Sequence, residues 1–149
     1  MANRSFNTSI LIADDDADDR ILLEQAFREC NLKSELYFVE DGEELLDFLH
    51  QRERFTAVSR PSLIILDLNM PRKNGIQALR EIKANEQFRQ IPIVVLTTST
   101  AEEDILRTYD LGVSSYISKP FDFGTLLDIT NTIKKYWIDT VSLPDDSTR

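Results

Sequence analysis

Five short apolar runs, each followed by a longer amphipathic segment, leave this chain few folds to choose from. "SILIA" (Ser9–Ala13), "ELYFV" (Glu35–Val39), "SLIIL" (Ser62–Leu66), "PIVVL" (Pro92–Leu96) and "SSYIS" (Ser114–Ser118) have the length and the β-branched, aromatic character of strands. The segments between them repeat apolar residues at helical spacing. Leu22, Ala26 and Cys30 with Leu23 and Phe27 form one stripe. Leu45, Leu46 and Leu49 follow an Asp41 cap, and Ile76, Leu79 and Ile82 form the third. Residues 101–111 are closed by Gly112, and the last helix carries Leu126, Ile129, Ile133 and Trp137. Strand alternating with helix predicts an α/β fold: a doubly wound, five-stranded parallel sheet with helices on both faces.

In such sheets the functional site lies beyond the carboxyl ends of the strands, so the residues ending each run are the ones to inspect. The first run ends in Asp14-Asp15-Asp16, the third in Asp67, the fourth in Thr97-Thr98-Ser99 and the fifth in Lys119. Glu40-Asp41, after the second, reads as the start of a helix. Two carboxylates about 4 Å apart repel by on the order of 4 kcal/mol at a surface-like dielectric. Either one keeps a proton or a cation sits among them. With only oxygen donors, that cation is Mg²⁺ or similar, held by Asp14 and Asp15 from one strand and Asp67 from another. A phosphoryl group is its natural companion, neutralised by Mg²⁺, Lys119 and the Thr97 hydroxyl, and Asp67 is the best-placed nucleophile to form an aspartyl phosphate.

The rest of the chain excludes more than it assigns. Its 149 residues argue for one domain, with a core over about 8–137 and a polar tail over 138–149. A net charge of −9 argues against nucleic acid and anionic membrane surfaces as partners. The single cysteine, Cys30, excludes an internal disulfide, and the lone His50 reads as a surface residue, so neither Ser/His/Asp nor Cys/His catalysis has support. The N-terminus "MANRSFNTS" has no signal-peptide core, so a cytoplasmic protein is expected. Asp16 reads as a solvated acid, and Phe121 and Phe123 as packing residues.

Taken in order, the "DD" pair, "LDLNMPRKNG", "VVLTTS" and "YISKPF" resemble the receiver domain of two-component response regulators, over roughly residues 8 to 137. The resemblance implies the flavodoxin-like strand order 2-1-3-4-5. It also implies that Asp67 accepts a phosphoryl group from a sensor histidine kinase or phosphotransfer protein. Mg²⁺ would be ligated by Asp15, Asp67 and the Asn69 carbonyl, with Asp14 acting through water. Thr97 and Lys119 would bind the phosphoryl oxygens, Tyr116 would be the switch aromatic, and Lys119–Pro120 would be a cis peptide. Asn69 and Ser99 flank the site where they would influence hydrolysis of the aspartyl phosphate. The segments "LTTSTAEEDILRTYDLGVSSYISKP" and "YWIDTVSLP" are similar to single-domain receivers paired with bacterial phytochromes. That likeness implies a homodimer through the fourth helix, fifth strand and fifth helix. The expectation is therefore a stand-alone receiver working by protein contact, not an enzyme with a separate substrate. The alternatives are a pseudo-receiver that never takes phosphate and a haloacid-dehalogenase-like phosphatase. The latter needs an Asp where this chain has Asn69.

Overall fold

A computed structural model describes residues 8–144; residues 1–7, which include most of the stretch read for a signal peptide, and residues 145–149 of the tail lie outside it. The strands are β1 (Ser9–Ala13), β2 (Glu35–Val39), β3 (Leu63–Leu66), β4 (Ile93–Thr97) and β5 (Ser115–Ser118). The helices are α1 (Ala17–Glu29), α2 (Gly42–Leu49), α3 (Gly75–Ala84), α4 (Glu102–Leu111) and α5 (Phe123–Ile133). One parallel sheet in the order β2-β1-β3-β4-β5 results, the order expected from the sequence.

Strand periodicity divides the core in two. Leu11, Ala13, Ile64, Leu66, Ile93 and Val95 face a cluster completed by α2, α3 and the end of α4. Their neighbours Ile10, Ile12, Leu63, Ile65, Val94 and Leu96 face a second cluster formed with α1 and α5. Both faces of β1, β3 and β4 are thus covered, which explains their unbroken apolar runs. Each fully buried Leu, Ile or Phe contributes about 1.5–3 kcal/mol of transfer free energy. β2 and β5 are the edges, and both are only partly buried.

The helix ends are chemically marked. Asp16 is not a bystander: its carboxylate N-caps α1, accepting from the N–H groups of Asp18 (2.9 Å) and Asp19 (3.2 Å). Asp41 caps α2 through the Glu44 N–H and also receives the Arg72 guanidinium. Asn74 and Gln77 form a reciprocal capping box at the start of α3. Asn74→Ala is therefore expected to cost about 1 kcal/mol, read as a lower urea midpoint with an unchanged slope. Gly112 ends α4 at φ 101°, the left-handed position that glycine takes without strain.

Three local expectations change. In α1 the buried stripe is Leu23, Ala26 and Phe27, while Leu22 faces outward and Cys30 is half-buried beside Thr130. The last helix does not keep its four-residue spacing. A π-helical turn over Lys134–Ile138 inserts one residue, so Ile138 reaches the core and Trp137 is only partly covered. Phe121 is fully exposed, whereas Phe123 lies against the α1–α5 cluster. His50 is exposed and meets the Phe88 ring edge-on at 5.0 Å.

Candidate functional site

Backbone hydrogen bonds continue the sheet past the strand ends and so fix where the polar residues stand. The Asp14 N–H donates to Val39 O and the Asp67 N–H to Ala13 O, both at 3.0 Å, and the Lys119 N–H donates to Thr97 O at 2.8 Å. Asp14, Asp67, Thr97 and Lys119 are thereby held at one edge, and the first three are almost fully buried.

Their side chains form a closed network. Asp67 Oδ1 accepts from the Thr97 hydroxyl at 2.8 Å and from the Asn69 N–H at 3.1 Å. Asp67 Oδ2 lies 2.9 Å from Lys119 Nζ, which also reaches Asp14 Oδ2 and Asp19 Oδ2, each at 2.8 Å. Asp14 Oδ1 accepts from the Asp16 N–H at 3.0 Å, and Arg20 donates to the Asp14 carbonyl at 2.8 Å. Asp15 is exposed beside this network, and the carboxylate oxygens of Asp14, Asp15 and Asp67 lie within 4.8 Å of one another. Three carboxylates therefore surround one ammonium, and a fourth, Asp15, stands beside two of them. The excess of hard negative charge, with no nitrogen or sulfur donor among the three clustered carboxylates, fits a divalent cation.

Burial alone would favour the neutral amine of Lys119, but its three carboxylate partners outweigh that and raise its pKa, leaving a permanent cation. Asp14 shows the opposite balance. Burial raises its pKa above the ordinary 3.8, the Lys119 and Asp16 hydrogen bonds oppose the rise only in part, and the Asp67 charge adds to it. A carboxyl with a raised folded-state pKa binds its proton more tightly folded than unfolded. Its ionisation therefore weakens the fold as pH rises through the window above 3.8. Asp14→Asn is expected to leave the metal-free protein at least as stable as wild type at pH 7 and to abolish stabilisation by Mg²⁺. Thermal melts at pH 5 and pH 7, with EDTA and with Mg²⁺, check both outcomes.

Tyr116 on β5 is half-buried. Its hydroxyl donates to the Ser99 carbonyl at 2.9 Å, and its N–H donates to the Tyr109 hydroxyl at 3.2 Å. Ser99 in turn donates its hydroxyl to Asp104 at 2.7 Å. A chain of contacts thus runs from Asp67 through Thr97 and Ser99 to α4 and β5. The Lys119–Pro120 peptide, expected cis, is trans, as is every peptide bond among the described residues; trans is favoured by about 0.5–1 kcal/mol in an X–Pro bond. Sequence reading missed Asp19 as a partner of Lys119. Asp14, Asp15, Asp16, Asp18 and Asp19 form an acidic run within six residues, but nothing local marked Asp19 among them, because its partner lies 100 residues away.

The response regulator receiver domain profile matches residues 10–131. The chain belongs to the response regulator receiver family. It is 37% identical over 135 residues to response regulator Rcp1 of Synechocystis, covering 91% of this chain and 92% of that protein. The crystal structure of the phosphorylated cyanobacterial phytochrome response regulator RcpA superposes with a TM-score of 0.87 at 38% identity, covering 93% of this chain and 99% of the other. The Mn²⁺-bound form of Rcp1 gives 0.86 at 36% identity, covering 92% and 99%. Receivers are signalling modules that interact with sensor kinases or phosphotransfer proteins. No helix among the described residues is long and apolar enough to cross a membrane.

Proposed function

We propose that this receiver takes a phosphoryl group on Asp67 from a sensor histidine kinase or phosphotransfer protein and passes the signal on by protein contact. The observation that carries the reading is the Asp67 carboxylate itself. It is buried, held by Thr97 and Asn69 on one oxygen and by Lys119 on the other, and sits within 4.8 Å of Asp14 and Asp15. An Asp67 oxygen attacks the phosphorus of a phosphohistidine, the P–N bond breaks, and the leaving imidazole nitrogen takes up a proton. Asp14, Asp15, Asp67 and the Asn69 carbonyl would hold Mg²⁺, whose bound charge neutralises the transferring group. Lys119 and the Thr97 hydroxyl stabilise the phosphoryl oxygens from the protein side.

Thr97 must leave Asp67 Oδ1 to meet a phosphoryl oxygen. Ser99, two residues on, carries the carbonyl that holds the Tyr116 hydroxyl, so that displacement shifts the Tyr116 equilibrium between outward and inward positions. The adjoining surface exposes Leu106, Tyr109 and Tyr136, which suits a homodimer through α4, β5 and α5. Likeness to RcpA supports a phytochrome as the kinase. The test is transfer from a sensor kinase pre-labelled with radioactive phosphate, with and without Mg²⁺. Label that moves to wild type and not to Asp67→Asn supports the proposal; label that moves equally to both removes Asp67 as acceptor.

A further inference from the structure

We propose that Asp19 is a positioning residue that keeps the Lys119 ammonium in place while the site loads. The inference rests on the reading of Asp67 as phosphoryl acceptor. An ammonium has three N–H donors, and here each has its own carboxylate: Asp14 and Asp19 at 2.8 Å and Asp67 at 2.9 Å. The first and last of these belong to the oxygen cluster that a divalent cation would occupy, together with Asp15. Asp19 does not belong to that cluster. When Asp14 and Asp67 turn to a cation and a phosphoryl group, Asp19 is the partner left to Lys119.

Its own placement is secured locally. Asp19 stands in the first turn of α1, where its N–H donates to the capping Asp16 carboxylate at 3.2 Å. The neighbouring Arg20 is turned elsewhere, to the Asp14 carbonyl and to Glu40, so it does not compete for Asp19. Without Asp19, the ammonium would rest wholly on Asp14 and Asp67. There it neutralises the charge that attracts the cation, and it loses the outer anchor that aims it at an incoming phosphoryl group. Asp19 also carries charge that acts on the site directly, by attracting a cation and repelling phosphate. That direct effect does not need Lys119, so the two contributions are separable.

The experiment measures the initial rate of phosphorylation by acetyl phosphate in Mg²⁺, by intact mass. It compares wild type, Asp19→Asn, Asp19→Glu, Lys119→Met and the Asp19→Asn/Lys119→Met double variant, with thermal melts confirming that each is folded. A second readout needs no metal: the hydrogen-exchange rate of the Lys119 ammonium by NMR, in wild type, Asp19→Asn and Asp19→Glu. The expected result is a fall of about three- to tenfold for Asp19→Asn, the size of one partly exposed charge-assisted hydrogen bond. Partial recovery in Asp19→Glu, a clearly smaller factor when Asp19→Asn is added to Lys119→Met, and faster ammonium exchange in metal-free Asp19→Asn complete the expectation. Equal rates for wild type and Asp19→Asn, the same factor in both Lys119 backgrounds, or unchanged ammonium exchange overturns the inference while leaving Asp67 as acceptor. A wild type that takes no phosphoryl group overturns both.

Discussion

Lys119→Met is expected to lower the stability of the metal-free protein by about 3 kcal/mol at neutral pH, the low end for breaking a buried ion pair. The Lys119, Asp14 and Asp67 side chains are only 12%, 2% and 6% exposed. Methionine fills the space but leaves two buried carboxylates without their counter-charge. The cost stays at the low end because Asp19 and Asp15 are open enough to water to relax. Mg²⁺ should restore most of the loss by supplying the missing positive charge, and at about a hundred times its Kd it adds about 2.7 kcal/mol to any form that binds it only when folded. For a chain of this size about 3 kcal/mol is roughly 6–12 °C in Tm. Melts in EDTA and in Mg²⁺ decide the matter. An unchanged midpoint in EDTA would mean that the network contributes nothing to the fold.

Gly75→Ala is expected to damage both the fold and the site. A Cβ at Gly75 would lie 2.5 Å from the Asp67 carbonyl oxygen and 2.6 Å from Leu68 Cα. Both are main-chain atoms of the segment carrying the acceptor, so no side-chain rotation relieves the clash. Gly75 also donates its N–H to the Leu68 carbonyl at 3.0 Å, so the α3 start is drawn tight against the end of β3. Relief requires α3 to move away or Asp67 to shift. We expect a loss of about 2–3 kcal/mol, in the range of overpacked sites, together with a phosphorylation rate at least about tenfold lower, because reaction geometry is sensitive at the ångström scale. Urea unfolding and phosphorylation kinetics on the same preparation test this. A folded variant with wild-type kinetics would show that the α3 contact does not position Asp67.

The strand runs were legible because β1, β3 and β4 are covered on both faces, and only apolar, β-branched residues satisfy that environment. The candidate site was legible for the same topological reason: Asp14, Asp67 and Lys119 follow strands directly and Thr97 ends one, so parallel pairing brings them to one edge. Residues whose partners lie far along the chain were not legible. Asp19 and Asp16 looked alike within the acidic run, yet one meets Lys119 and the other caps α1. Trp137 fitted the four-residue stripe, but the π-helical turn gives the buried position to Ile138. Whether a helix gains a residue depends on how its end packs on the core, which spacing does not encode. Gly75 had no role assigned from sequence; only the folded backbone reveals its proximity to Asp67.

The central claim is that Asp67 accepts a phosphoryl group in a cation-dependent site. The most direct measurement is intact mass after incubation with acetyl phosphate, with Mg²⁺ or with EDTA, on wild type and Asp67→Asn. The account predicts one phosphoryl group on wild type in Mg²⁺, none in EDTA and none on the variant, with both proteins folded. A folded wild type that gains no mass in Mg²⁺, or a variant labelled to the same stoichiometry, would contradict it.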